Sequence, residues 1–145
     1  MKVADILAVK GSDIATTRPD SRISSVAGLM KLKGIGALVV SDDGEHISGI
    51  ISERDIVQGL VDHGEELLRQ PVSEIMTRTV KTCAPTAAIT EIMAEMTRSR
   101  IRHLPVVNEG RLVGIVSIGD VVKNRLDELQ SEANVLRDYF VSRSA

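Results

Sequence analysis

Two serine–aspartate pairs carry the clearest chemistry in this chain. Ser52 and Asp55 sit in "GIISERDIV" (49–57), and Ser117 and Asp120 in "GIVSIGDVV" (114–122), where an apolar run turns polar. The spacing fits a helix capping box, in which the hydroxyl satisfies an orphan N–H and the acid faces the positive end of the helix. It also fits a ligand site. A helix N-terminus favours phosphate, and a nearby carboxylate accepts two hydrogen bonds from a ribose diol. The two uses are compatible. A third group is basic: "TRSRIRHLPVV" (97–107) places Arg98, Arg100, Arg102 and His103 ahead of an apolar run. Cations at a helix C-terminus explain Arg98 and in part Arg100, but not Arg102 and His103, which flank the start of a strand.

The elements that must position these groups are written twice. Gly49, Ser52 and Asp55 recur as Gly114, Ser117 and Asp120 at an offset of 65. Upstream the offset is 66, pairing Thr16 with Thr82, Pro19 with Pro85, Ile23 with Ile89, Met30 with Met96 and Leu38 with Leu104. The lead-ins "VADIL" (3–7) and "VSEIM" (72–76) also match. A tandem duplication therefore spans the chain to about residue 128.

Each copy predicts a short strand ("IATT" or "VKTC"), a proline at a helix start, and an amphipathic helix. That helix should bury Ile23, Val26, Ala27 and Met30 in the first copy, and Ile89, Ile92, Met93 and Met96 in the second. A β-hairpin follows, then a second helix over 53–68 or about 118–140. The expected order is β-α-β-β-α given twice, an α/β architecture with repeats at 1–69 and 70–128 and a helical extension at 129–145.

Composition narrows the function. A chain of 145 residues buries roughly 68–70% of its unfolded surface, enough to fold independently. The formal net charge of −2 argues against a nucleic-acid or membrane partner. With only Tyr139 and Phe140 as aromatic residues, no stacking platform for single strands exists. No apolar run reaches the ~20 residues of a membrane span, no signal peptide is evident, and the single cysteine, Cys83, fits a reducing compartment. Cytoplasm is the expected location. The "GIG" at 34–36 precedes a strand, so a dinucleotide fingerprint is unsupported. His46, His63 and His103 lack ligand spacing for zinc, and no nucleophile–base set assembles.

Tandem units of this length, each ending in G-h-h-S-x-x-D (h for apolar), resemble a pair of cystathionine-β-synthase (CBS) domains. The resemblance covers nearly the whole chain. It implies a pseudo-twofold module with adenosyl ligands in two clefts between the units. By resemblance, Asp55 and Asp120 would each hold a ribose, with Ser52 and Ser117 at the phosphate or ribose. Thr16 and Thr82 would border the adenine. The backbone of the hairpin's first strand would clamp the base, at Gly36, Ala37 and Leu38 in one cleft and at His103, Leu104 and Pro105 in the other, with Ile51 and Val116 as apolar walls. Arg100, Arg102 and His103 would reach phosphates, and Arg54 would add a local charge. The first copy has Gly34, Gly36 and Ala37 where the second is basic, so the two clefts differ. The resemblance further implies a stand-alone regulatory protein, not an enzyme, that needs no catalytic cofactor. AMP is the first expected ligand, ahead of ATP, ADP, NAD(H) and S-adenosylmethionine. An interaction module with empty clefts is the alternative.

Beyond the repeats, Val122, Leu126, Leu129, Ala133, Leu136 and Phe140 recur at steps of four and three. That is an a/d seam. It predicts a homodimer contact, with the regulated partner protein left open.

Overall fold

Ile23, Val26 and Met30 recur at helical spacing and are buried, and they form the inner face of one helix. The computed structural model describes residues 1–11 and 13–144. Its elements are α1 (Val3–Lys10), β1 (Thr16–Thr17), α2 (Ile23–Lys33), β2 (Ala37–Val40), β3 (Gly49–Ser52), α3 (Glu53–His63), α4 (Ile89–Ser99), β4 (His103–Asn108), β5 (Arg111–Ser117) and α5 (Ile118–Ser144). In the first repeat, β1 runs parallel to β2, which pairs antiparallel with β3 from Ala37↔Ser52 to Val40↔Gly49. In the second, β4 and β5 form a hairpin from His103↔Ser117 to Asn108↔Arg111. A bulge between Val106 and Val107 interrupts that register.

Three expectations change in detail. The "VKTC" segment forms no strand: only Cys83 bridges Val106, in parallel, with its N–H 3.0 Å from the Pro105 carbonyl. The helix expected over 53–68 ends at His63. Gly64, at φ +63, redirects the chain into a 3-10 turn (Gly64–Arg69). That turn folds Leu67 into the core, where it is 0% exposed. The helix expected over about 118–140 runs on, unbroken from Ile118 to Ser144 as α5, and so carries most of the helical extension.

The two cores exchange their lead-ins. Val3 and Ile6 of α1 pack with Ile89, Ile92, Met96, Leu104 and Val116 of the second repeat. Val72 and Met76 pack with Ile23, Val26, Leu38 and Ile51 of the first. Matching hydrogen bonds hold both crossings. Val3 N–H donates to the Ala87 carbonyl (2.9 Å), as Val72 N–H does to Ser21 (2.8 Å). Ile89 N–H donates to the Met1 carbonyl (3.1 Å), as Ile23 N–H does to Gln70 (3.0 Å). Each fully buried aliphatic side chain contributes about 1.5–3 kcal/mol, so the exchanged residues are a substantial part of each core.

This exchange explains the glycine that begins each repeated motif. A Cβ on Gly49 would lie 2.8 Å from both the Met76 sulfur and the Thr77 carbonyl oxygen. One on Gly114 would lie 2.7 Å from a Leu7 methyl. The crossing lead-in needs that space. Gly49→Ala meets fixed backbone, and overpacking should lower stability by about 1–3 kcal/mol in urea unfolding. Gly114→Ala meets the movable end of one side chain and should cost less.

Candidate functional site

Both Ser-x-x-Asp motifs start helices, and both are capping boxes. In the first, the Ser52 N–H donates to Asp55 Oδ2 (2.9 Å) and the Asp55 N–H to Ser52 Oγ (3.3 Å). In the second, the Ser117 N–H donates to Asp120 Oδ2 (2.9 Å) and the Asp120 N–H to Ser117 Oγ (3.1 Å). The strand before each helix ties it to the strand start of the same repeat. Glu53 N–H donates to the Gly36 carbonyl (3.0 Å), and Ile118 N–H to that of Arg102 (2.8 Å).

The two boxes face different surroundings. Asp55 opens onto a cleft of about 350 Å³ between the repeats. Its first wall is Gly36, Ala37, Ile50, Ser52 and Arg54; its second is Thr77, Thr79, Val80 and Lys81; its third is Arg100, Ile101, Arg102 and His103. Asp55 Oδ2 serves the cap, while Oδ1 has only the Thr77 hydroxyl at 3.4 Å. A carboxylate with one lightly engaged oxygen thus stands in the same cleft as the basic cluster. Asp120 instead meets Lys10, whose Nζ is 2.7 Å from its Oδ2. Burial would raise the Asp120 carboxyl, yet the hydrogen bond from Lys10 and those from Ser117 hold it below the ordinary carboxylate value.

The basic residues divide into paired and unpaired. Arg98 is tied to Glu95, as is Lys81, whose Nζ lies 2.8 Å from Glu95 Oε1 and 2.9 Å from Ser99 Oγ. These contacts pull the Glu95 carboxyl down to about 2. Arg100 and Arg102 have no ion pair among the described residues. His103 is half-buried between the two halves. Burial, aided by the charges of Lys10 and Arg102, lowers its pKa and favours the neutral ring, against the pull of Glu53 and Asp120. An anion in the cleft would reverse that balance.

Several expected site residues lie elsewhere. Ile51 and Val116 are fully buried in the two cores, and Ile50, one position earlier on the alternating strand, faces the cleft. The side chains of Leu38 and Leu104 are core as well, and Pro105 is buried. Thr16 sits in β1 opposite Val39 and Thr82 is exposed; neither lines this cleft. Thr77 and Thr79 take the place expected of Thr16, because the exchanged lead-in carries the second repeat across the first repeat's aspartate. Sequence reasoning missed them. The alignment of "VSEIM" with "VADIL" was the available signal, but it does not say on which repeat each lead-in docks.

No built metal or nucleophile site emerges among the described residues. Asp43, Glu45 and His46 gather ligand atoms on the first hairpin, all exposed. Asp43 is occupied there by the His46 ring and by the N–H groups of Glu45 and His46. Burial pushes the Cys83 thiol up to about 11, which leaves it a protonated, poorly nucleophilic group.

The model for the CBS domain family matches the chain twice, over residues 3–62 and 72–127. The chain belongs to the CBS-domain family. It is 44% identical to the CBS-domain-containing protein ATU1752 from Agrobacterium tumefaciens, with a TM-score of 0.83 over 86% of this chain and 99% of that one. The CBS pair of protein MJ0100, solved with 5′-methylthioadenosine and S-adenosyl-L-methionine, matches at a TM-score of 0.78 and 26% identity, over 88% and 98%. A 17.7 kDa protein of Acidianus ambivalens is 37% identical over 83% of this chain and 76% of its own length. Among the described residues of this CBS pair, no helix is long and apolar enough to cross a membrane.

One backbone feature of this CBS pair separates the two repeats. Arg100 caps α4 in the left-handed region at φ 53, where the first repeat has Gly34 at φ 64. That conformation costs a side-chain-bearing residue about 1–2 kcal/mol. Arg100 also lines the cleft. Arg100→Gly should therefore raise stability by about 1 kcal/mol in urea unfolding, by removing the side chain from a left-handed backbone position.

Proposed function

We propose that this CBS pair is a regulatory module that binds an adenine nucleotide, AMP first, in the cleft at Asp55. The observation that carries this reading is the pairing of opposite charges across one cleft. A carboxylate suited to a ribose diol lines the same cleft as the unpaired Arg100 and Arg102, together with His103 and Glu53. The adenosine ligands of MJ0100 support an adenosine-type ligand. The charge distribution favours a phosphate: the sulfonium of S-adenosylmethionine would face two guanidinium groups, and methylthioadenosine would leave them unanswered. Arg54, Lys81, Arg100 and Arg102 line the cleft, and Lys81 is already held by Glu95, so part of the positive charge is spoken for and the single phosphate of AMP is the first to test. ATP, ADP and NAD(H) are the next ligands to test. Stand-alone CBS pairs are generally regulatory rather than catalytic. The output of this one is a shift between states that bind the nucleotide unequally.

Calorimetric titration of AMP tests the site. Asp55→Ala should weaken binding about 10- to 100-fold, the loss of roughly 1.5–3 kcal/mol for a hydrogen bond to a charged group. The same change removes the carboxylate half of the capping box, leaving the bond from the residue 55 N–H to Ser52 Oγ, and should cost about 1 kcal/mol of stability. Unchanged AMP affinity in Asp55→Ala would refute the ribose assignment.

The second part of the proposal is assembly. Leu126, Leu129, Leu136 and Phe140 are 45–63% exposed on α5, so the a/d seam is not docked on the chain's own core. A second copy offers the same seam, and two such helices bury it in a coiled coil between CBS modules. Light scattering should give a dimer for the parent. Leu129→Lys combined with Leu136→Lys should give a folded monomer; a dimer that survives both changes places the interface elsewhere.

A further inference from the structure

Lys10 distinguishes the two halves of this near-symmetric module. It closes α1, where a cation suits the helix dipole. Its side chain, however, reaches partners 105 and 110 residues away. Nζ donates to the Ile115 carbonyl at 2.9 Å and to Asp120 Oδ2 at 2.7 Å. The corresponding groups of the first repeat, Ile50 and Asp55, are served by Thr77. Its N–H donates to the Ile50 carbonyl at 2.9 Å, and its hydroxyl lies 3.4 Å from Asp55 Oδ1. One neutral residue thus fills, in one half, the place that an ammonium fills in the other.

The local cause is the length of the lead-in helix. In the second repeat the lead-in is a 3-10 turn of three residues (Val72–Glu74), and the chain is extended again by Thr77, which bridges Ile50. In the first repeat α1 continues for eight residues. Past its first turn its backbone N–H groups stay within the helix, and a long side chain from its last turn reaches the sheet instead. Asp120 consequently has Oδ2 shared between the Ser117 N–H and an ammonium. A ribose diol would find Oδ1 open, as at Asp55, but the carboxylate charge that strengthens such bonds is here already answered by an ammonium.

We propose that Lys10 neutralises the second ribose-type carboxylate from within the chain, so that each chain takes one nucleotide, at Asp55, and the Asp120 half takes none while its lysine is in place. The choice of AMP as probe rests on the function proposed above. The duplicated motif would then have diverged by charge: one carboxylate is left for a ligand, and the other is answered by a lysine of the chain.

Titration calorimetry with AMP, read as sites per chain, decides the matter. The parent should show one site, lost in Asp55→Ala. Lys10→Met, which keeps the aliphatic stem and removes the ammonium, should show two, and adding Asp120→Ala should return it to one. Lys10→Gln is measured in parallel, with melting curves for each variant, so that a folding defect in one does not decide the result. Two sites in the parent, or still one in folded Lys10→Met and Lys10→Gln, would overturn the inference. If the parent binds no AMP, the Asp55 reading fails by itself. The Lys10 inference then stands on whether Lys10→Met gains a site that Asp120→Ala removes, and falls if it gains none.

Discussion

Each repeat in this chain closes its hydrophobic core with a segment of the other. Val3 and Ile6 belong by sequence to the first repeat and by packing to the second; Val72 and Met76 do the reverse. An aliphatic core with almost no aromatic residues depends on the count of buried methyl groups, and each core takes part of that count from the other repeat's lead-in. The crossing also fixes the position of the cleft. Thr77 and Thr79 lie over Asp55 because the chain has just delivered Val72 and Met76 into the first core. Gly49 and Gly114 are small because these crossings run directly over them.

Duplication supplies a near-twofold scaffold, and single substitutions then give its two ends different charges. The hydrogen bonds that hold the lead-ins, cap the helices and tie each helix start to its strand are matched pairwise across the repeats. Against that sameness stand four differences: Gly34 against Arg100, Gly36 against Arg102, Ala37 against His103, and a longer lead-in helix that sets Lys10 where Thr77 stands in the other half. All four bear on the space between the two aspartates. The first two place positive charge, and the third an imidazole, in the Asp55 cleft, and the fourth neutralises the other aspartate. His103 feels both, being depressed by burial and by Lys10 while Glu53 and Asp120 pull the other way.

The capping box and the proposed ligand site are two uses of one geometry. Oδ2 of Asp55 is bound to the helix it begins, which orients the carboxylate without consuming its other oxygen. A side chain held in this way loses little rotamer freedom when a ligand arrives. The cap is therefore part of how the site is preorganised, and the two readings of Ser-x-x-Asp do not compete.

The sequence by itself determined the duplication, the order of helices and hairpins, the inner faces of α2 and α4, and both aspartates at helix starts. Periodicity and capping are local, set by residues within a turn or two of one another. It also showed that the basic residues belong to one copy. Tertiary structure alone decided which lead-in docks on which core, and hence that Thr77 rather than Thr16 stands beside Asp55. It alone turned Ile50 to the cleft and Ile51 to the core, and it alone joined Lys10 to Asp120. These outcomes involve groups 22 to 110 residues apart, brought together by burial, which has no direction along the chain and leaves no local pattern to read.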